Sequence, residues 1–363
     1  MAAAAMITTL DDFEAEYRKG IGYVLPARGS REASLDNIQR FGDGVGDYNP
    51  LYRDPAYGAQ SPYGSVIAPP IFIYGASLGI ALAINGNIDG RRLSSSYFPM
   101  NYAGGTIEFK KTIWPGDRIS ASEEIIDIHR KHSDRIGDFV LCEAGIKYHN
   151  QRKELVATKT TLMARYQNLG GGRTIQYDRE KKTQVIEESP DPLVYERERC
   201  GADTRYFEDV NVGDEMPPLH KGTYTVTELF LFTHGVVGTR RSPRAALEAE
   251  ESKDLGGGGR YDAEHARNRR NIPGQFDWGP QRVCWVAQMA TDWMGDDGAL
   301  KKMETRVRHP NVVGDTNTLF GKVAAKTVVG DEHLVELDVY NENQAGLATV
   351  EARITVALPS RAA

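Results

Sequence analysis

Two arrangements of apolar and polar positions recur along the chain about 200 residues apart. In the first, β-type segments run over residues 118–129, 138–149 and 155–166; in the second, over 316–328, 333–342 and 347–358. Each set follows a Gly-Asp pair, within Phe109–Ser120 (FKKTIWPGDRIS) and Arg306–Thr318 (RVRHPNVVGDTNT), where one strand breaks at a proline or bulky position and another begins. Ahead of each stands a stretch with helical character, Pro69–Gly86 and Pro280–Gly295, opened by proline and closed by glycine. Both stretches are apolar nearly all round, which predicts helices buried against a sheet. Residues 167–200 are polar, carry three consecutive glycines and have no apolar period, so they read as a linker. The chain therefore divides into 7–166, a linker over 167–200, and 201–360. Internal duplication of a buried helix followed by antiparallel strands is α+β architecture.

Composition narrows the functional classes. Hydrophobic residues make up 40% and charged residues 26%, which predicts a packed core. A net charge of −6 disfavours a nucleic-acid partner. No apolar run approaches the ~20 residues that cross a bilayer, and the N-terminal residues lack the order of a secretory signal. Cys142, Cys200 and Cys284 are odd in number and far apart, so no disulfide framework is expected. A soluble, cytoplasmic protein follows as the expectation. No Cys/His group has metal-ligand spacing. No Gly-x-Gly-x-x-Gly follows a strand, and the four glycines 256–259 precede no Lys-Ser/Thr, so neither metal nor nucleotide cofactor is expected.

In the first half, FGDGVGDYNPLYRDPAYG (residues 41–58), YGSVIAPPIFIYG (63–75) and TIWPGDRI (112–119) follow one another in order. In the second half, FEDVNVGDEMPPL (207–219), RYDAEHARNRRNIPGQFDWG (260–279), TDWMGDDGAL (291–300) and VVGD (312–315) repeat the layout with a longer loop. This ensemble resembles the MaoC-like (R)-specific enoyl-CoA hydratase/dehydratase family, with a FAS1-like dehydratase N-terminal half. The resemblance implies a double hotdog, each unit a long central helix wrapped by an antiparallel sheet. It also implies an acyl-coenzyme A thioester as substrate, reversible hydration of its enoyl form, and a place in fatty-acid or sterol side-chain metabolism. A homodimer, or pairing with another hotdog subunit, is implied as well.

Such a hydration needs a base for water, an acid for C2 and donors for the thioester oxygen. In the family, an aspartate and a histidine five residues apart hold the water, and an N–H at the helix entry receives the oxyanion. Carried onto this chain, the resemblance assigns Asp47 and Tyr52 as the catalytic pair, with Asn49 shaping the loop. Tyr52 stands where the histidine belongs, and a phenol is a poor base near neutrality. Ala68 and Pro70 form the first-half helix entry, where Pro70 has no N–H to give. In the second half Thr239 falls at the Asp47 position, Arg260 at the Tyr52 position, and Gly279 offers the N–H that Pro70 lacks. A pocket shared between halves would let Arg260 and Gly279 complete the Asp47 site. Asp54 and Asp262 precede short helical segments and are expected to cap them. His234 and His265 are the histidines near the second-half loop, and the arginines of Ala266–Arg270 and Thr239–Arg241 suit phosphate. Two other classes stay open: a degenerate subunit that shapes a pocket for a partner, and a thioesterase.

Overall fold

The computed structural model describes residues 7, 9–25, 30–78, 100–134, 137–166, 192–238, 260, 263–270 and 272–362. In the first half, α1 (Leu10–Arg18), β1 (Val24–Leu25), β2 (Ser30–Glu32), α2 (Leu35–Val45), α3 (Pro55–Gln60) and α4 (Ile73–Ala76) precede four long strands. These are β3 (Met100–Phe109), β4 (Arg118–Ser133), β5 (Gly137–His149) and β6 (Leu155–Tyr166). The second half comprises β7 (Glu215–Thr223), α5 (Val226–Phe232), α6 (Ala263–Arg270), α7 (Gly279–Met294), β8 (Ala299–Val307), β9 (Thr316–Val329), β10 (Glu332–Asn343) and β11 (Ala348–Leu358).

One antiparallel sheet runs through both halves in the order β1-β4-β5-β6-β3-β8-β11-β10-β9-β7, with β2 also on β4. The halves join where β3 pairs with β8, Gly105 opposite Thr305 and Ile107 opposite Met303. β3 is packed on both sides, by β8 at the seam and by β6 behind it, tightly enough to require glycine. A Cβ at Gly104 would lie 2.2 Å from the Thr305 carbonyl oxygen, and one at Gly105 would lie 1.9 Å from that of Thr160. All sixteen residues of α7 are buried, as its apolar circumference predicts, and it packs across β8, β11, β10 and β3. Among the described residues no helix is long and apolar enough to cross a membrane.

The duplication is visible in matched hydrogen bonds. The Ala33 N–H donates to the Asp117 carbonyl at 2.7 Å and the Gly116 N–H to Ala33 at 3.1 Å; Tyr224 does the same with Asp315 and Gly314, at 2.7 and 2.8 Å. Each turn aspartate caps its own loop, Asp117 accepting from the Trp114 N–H at 3.0 Å and Asp315 from Val312 at 2.8 Å. Ala68 donates to the Ile113 carbonyl at 3.0 Å, as Asp277 donates to Asn311 at 2.9 Å. These pairs equate Ala33 with Tyr224, Ala68 with Asp277, and hence Pro70 with Gly279.

One expectation fails. Of the helix expected over Pro69–Gly86, the described part, up to Leu78, is a 3-10 turn, Pro70–Phe72, followed by the four residues of α4, and Ser77 is already extended at φ −159°, ψ 133°. Residues 79–99 lie outside the described residues. The cause lies partly in weak helix formers, Gly75 and Ser77. It lies also in competition from the sheet: the Tyr148 hydroxyl donates to the Ser77 carbonyl at 2.9 Å and Lys159 Nζ to the Leu78 carbonyl at 2.6 Å.

Candidate active site

The Asp47 loop begins where α2 stops. Ser34 caps the helix start through the Asn37 N–H, and Gly46 ends it in the left-handed conformation at φ +70°. The chain then turns through Asp47, whose Oδ1 accepts the Asn49 N–H at 3.1 Å, and Asn49, whose Oδ1 accepts the Leu51 N–H at 3.0 Å. Asn49 thereby caps the 3-10 turn Pro50–Tyr52, the organising role its position predicts. Asp47, Asn49 and Tyr52 are all buried. Asp54 caps α3 through the Ala56 N–H at 2.8 Å, as expected.

The second half holds this loop. The Gly46 carbonyl receives three donors, Arg197 Nη2 at 3.1 Å, Gln288 Nε2 at 3.2 Å and Lys221 Nζ at 3.3 Å. The Val45 carbonyl receives Lys221 Nζ at 3.0 Å and the Trp285 indole N–H at 3.1 Å. Lys221 also donates to Gln288 Oε1. Cations at the carboxyl end of α2 suit its dipole. Burial pulls the Lys221 ammonium down to about 7; Arg197 adds to the fall, while Asp47 and Asp292 oppose it.

Asp292, one turn beyond Gln288 on α7, is near enough to Asp47 to feel its charge. Burial, then the nearby Asp47 carboxylate, push its carboxyl up to about 6 against the pull of Arg197 and Arg199. Arg199 Nε donates to Asp292 Oδ1 at 2.9 Å. Burial and then Asp47 drive the Tyr52 phenol well above its ordinary value of 10, with the Thr291 side chain beside it. Tyr52 is therefore a neutral phenol in the wall, a weaker acid than its place in the motif suggests. Asp292 opens on a cavity of about 270 Å³ whose lining includes Arg197, Arg199, Arg205, Leu219 and Met289.

The structure separates Gly279 and Arg260 from this loop. Gly279 begins α7, and a Cβ there would meet the Tyr102 ring at 2.9 Å. Gln288, which touches the loop, lies nine residues further along the helix, about 14 Å at 1.5 Å per residue. Arg260 stays at the Gly279 end: its Nε donates to the Asp277 carbonyl at 3.0 Å, and its guanidinium stacks 3.9 Å from the Trp278 ring centre. The expected pocket uniting Arg260 and Gly279 with Asp47 is thus not formed, because the loop crosses the far half of α7. Ala68 is buried with its N–H spent on Ile113, and Pro70 opens the 3-10 turn. His234 is exposed and packs on Phe230, so it does not face the site. Thr239, Arg241 and Asp262 lie outside the described residues, as do the side chains of His265, Arg269 and Arg270.

Sequence reading passed over Lys221, Asp292 and the two arginines, which sit at the end of the stretch taken as a linker. Only Asp292 carried a signal, an acid inside a helix apolar nearly all round.

A FAS1-like dehydratase domain region matches residues 20–159. A UPF0336 protein of Thermobifida fusca is 30% identical over 112 residues, which cover 30% of this chain and 68% of that protein. A probable enoyl-CoA hydratase alpha subunit of Thermomonospora curvata is 24% identical over 194 residues, 50% of this chain; the chain spans 57% of that relative's length. Among solved structures, a MaoC-like dehydratase superposes with a TM-score of 0.69 at 17% identity, covering 94% of this chain and 100% of the other. A Mycobacterium tuberculosis protein described as a double hotdog superposes at 0.57 with 13% identity, covering 94% and 97%.

Proposed function

Because the chain belongs to the family of the UPF0336 proteins and carries a FAS1-like dehydratase region over residues 20–159, we propose that it is a hydro-lyase of the MaoC-like hydratase/dehydratase kind. Its reaction is reversible addition of water to a 2-enoyl-coenzyme A thioester, giving the 3-hydroxyacyl thioester. The observation that carries this reading is the Asp47 carboxylate, fixed by its loop and buried next to the cavity-lining Asp292. Asp47 serves as the base that takes a proton from water as its oxygen bonds to C3. Asn49 keeps the loop in shape, and the buried surroundings strengthen each electrostatic contact. The arginines at the cavity offer donors to anionic parts of the substrate.

Following the ultraviolet absorbance of the conjugated thioester with short, long and ring-bearing enoyl-coenzyme A substrates tests the proposal. Turnover without added metal or nucleotide is the expected result. A second reading, a subunit that binds the thioester and shapes a pocket for a partner hotdog chain, is favoured by Pro70, which offers no N–H, and by the neutral phenol of Tyr52. Tight binding of the thioesters without turnover of any would select it.

A further inference from the structure

We propose that Asp292 is the second proton-transfer group of this site, delivering a proton to C2 of the acyl chain while Asp47 takes one from water; this rests on the hydration reading above. The loop motif would put that role on Tyr52, but the groups facing Asp47 leave a different donor.

Lys221 is excluded by its own hydrogen bonds. An ammonium has three N–H bonds, and those of Lys221 are taken by the Val45 carbonyl, the Gly46 carbonyl and Gln288 Oε1. Arg197 and Arg199 hold their protons throughout. Tyr52, like Asp47, is buried behind the cavity lining, and its phenol beside Thr291 holds its proton well above the ordinary range. Asp292 does line it, and its two oxygens are unequal. Oδ1 is held by Arg199, whereas Oδ2 is buried with no hydrogen-bond partner. Arg197 Nε lies 3.8 Å from Oδ2 and is equally without one. A buried acceptor and a buried donor left facing one another at a cavity wall form a place prepared for a ligand oxygen or a transferable proton.

The reaction balances with these two carboxyls. Asp47 removes a proton from water, the oxygen bonds to C3, and the C2–C3 π electrons move to the thioester oxygen as the enolate. As the enolate collapses, C2 takes the proton from Asp292, so one water has been added across the double bond. Asp47 then carries the proton that Asp292 has lost, and transfer between the two adjacent carboxyls restores the starting state. Dehydration is the same path reversed.

A test independent of water addition is exchange of the C2 hydrogens of butyryl-coenzyme A in deuterated buffer. Native protein exchanges, while Asp292→Asn, which keeps a side-chain oxygen for Arg199, exchanges ~10²-fold more slowly. Thermal unfolding and butyryl-coenzyme A binding confirm that Asp292→Asn is folded and occupied. Exchange by Asp292→Asn within threefold of native overturns the assignment, whatever happens to hydration. Exchange that needs Asp292, in a protein that hydrates no enoyl thioester, sinks the hydratase reading and leaves Asp292 as the C2 group. A native protein that neither exchanges nor hydrates overturns both.

Discussion

The carboxyl end of α2 and the end of α5 occupy matched places in the two halves but meet different surroundings. In the first half Gly46 turns the chain into Asp47 against α7. In the second, α5 continues into a π-helical turn, Thr233–Val237, before Gly238 turns the chain at φ +87°. Each end is held by a cation from the other half's first strands: Lys221 on the Gly46 carbonyl, and Arg31 Nη2 on the Gly235 carbonyl at 2.7 Å. The helix entries differ as well, Pro70 against Gly279. So do the sheet interiors. Phe109 pairs with Ala157 as Val307 pairs with Val350, which sets Lys159 opposite Ala352 in the duplication, and the Gly-Asp turns set Glu123 opposite Gly321. The second half keeps a small-residue floor under a sixteen-residue helix; the first half spends the same floor on polar groups and has a four-residue α4. Duplication here preserves the scaffold while the halves divide the work, one supplying the loop and the other the helix that faces it.

The sharpest way to break that division is to compare Asp47→Asn with Arg260→Ala. Asp47→Asn is expected to lower turnover ~10²-fold or more with the fold intact. Arg260→Ala removes a hydrogen bond and ring stacking at the other end of α7, and is expected to cost ~1 kcal/mol of stability while turnover stays within threefold. Steady-state rates beside urea unfolding decide it. A hundredfold loss in Arg260→Ala would restore the shared pocket that the structure separates.

Lys221→Met comes next, with turnover expected to fall ~10-fold because the loop loses one of its anchors while Arg197, Trp285 and Gln288 remain. Its signature is in stability against pH. The folded-state value of Lys221 lies at about 7, below the unfolded value of 10.5. Between those limits the unfolded chain binds more protons, so native stability rises with pH across that window, by up to about 1.4 kcal/mol per unit. Lys159 has the same depressed value and sign, so each Lys→Met variant should remove its own share of the slope. Urea unfolding at pH 7 to 10 that shows the native slope in Lys221→Met would refute a buried, destabilised ammonium there.

Much of this was legible in the chain because it is punctuated locally. The strands, α7, the Asp54 cap and the Asn49 turn follow from residue patterns within a few positions of each other. The match of Pro70 with Gly279 followed from the family resemblance at the two helix entries, PPIFIYG and WGPQRV. Lys221 was invisible, since a lysine in PPLHKGTY reads as a solvated strand position until α2 is laid over it. Arg197 and Arg199 were hidden at the end of a polar stretch whose contacts are 90 or more residues away. The described start of the first-half helix was misread for a related reason: nothing near Ser77 announces that Tyr148 and Lys159 will take the carbonyls of Ser77 and Leu78.

Tyr52→Phe sharpens the comparison at smaller scale. A neutral phenol in the wall predicts turnover within about threefold and a loss of ~1 kcal/mol, the usual worth of one hydrogen bond. A hundredfold loss, with folding unchanged, would return Tyr52 to the chemistry.

The smallest effect belongs to the caps that start α2 and α5. Thr225 and Glu228 form a reciprocal capping box, the Thr225 N–H donating to Glu228 Oε2 at 2.7 Å and the Glu228 N–H to Thr225 Oγ1 at 3.2 Å. The matching first-half pair is Ser34 and Asn37, with no carboxyl. Burial raises Glu228 to about 7, against the pull of its Thr225 hydrogen bonds and of Lys221. The folded chain therefore holds a proton between pH 4.5 and 7 that the unfolded chain releases, and native stability falls as pH rises through that window. Glu228→Gln keeps the box, since glutamine serves at that position, and should flatten part of the fall. The gain is expected at pH 8, with no change at pH 4. Asp292, also raised, contributes to the same fall, so some slope survives in Glu228→Gln and more is lost in the double variant with Asp292→Asn. An unfolding series in which Glu228→Gln matches the native slope would place the whole effect on the Asp47–Asp292 side and make the two caps equivalent after all.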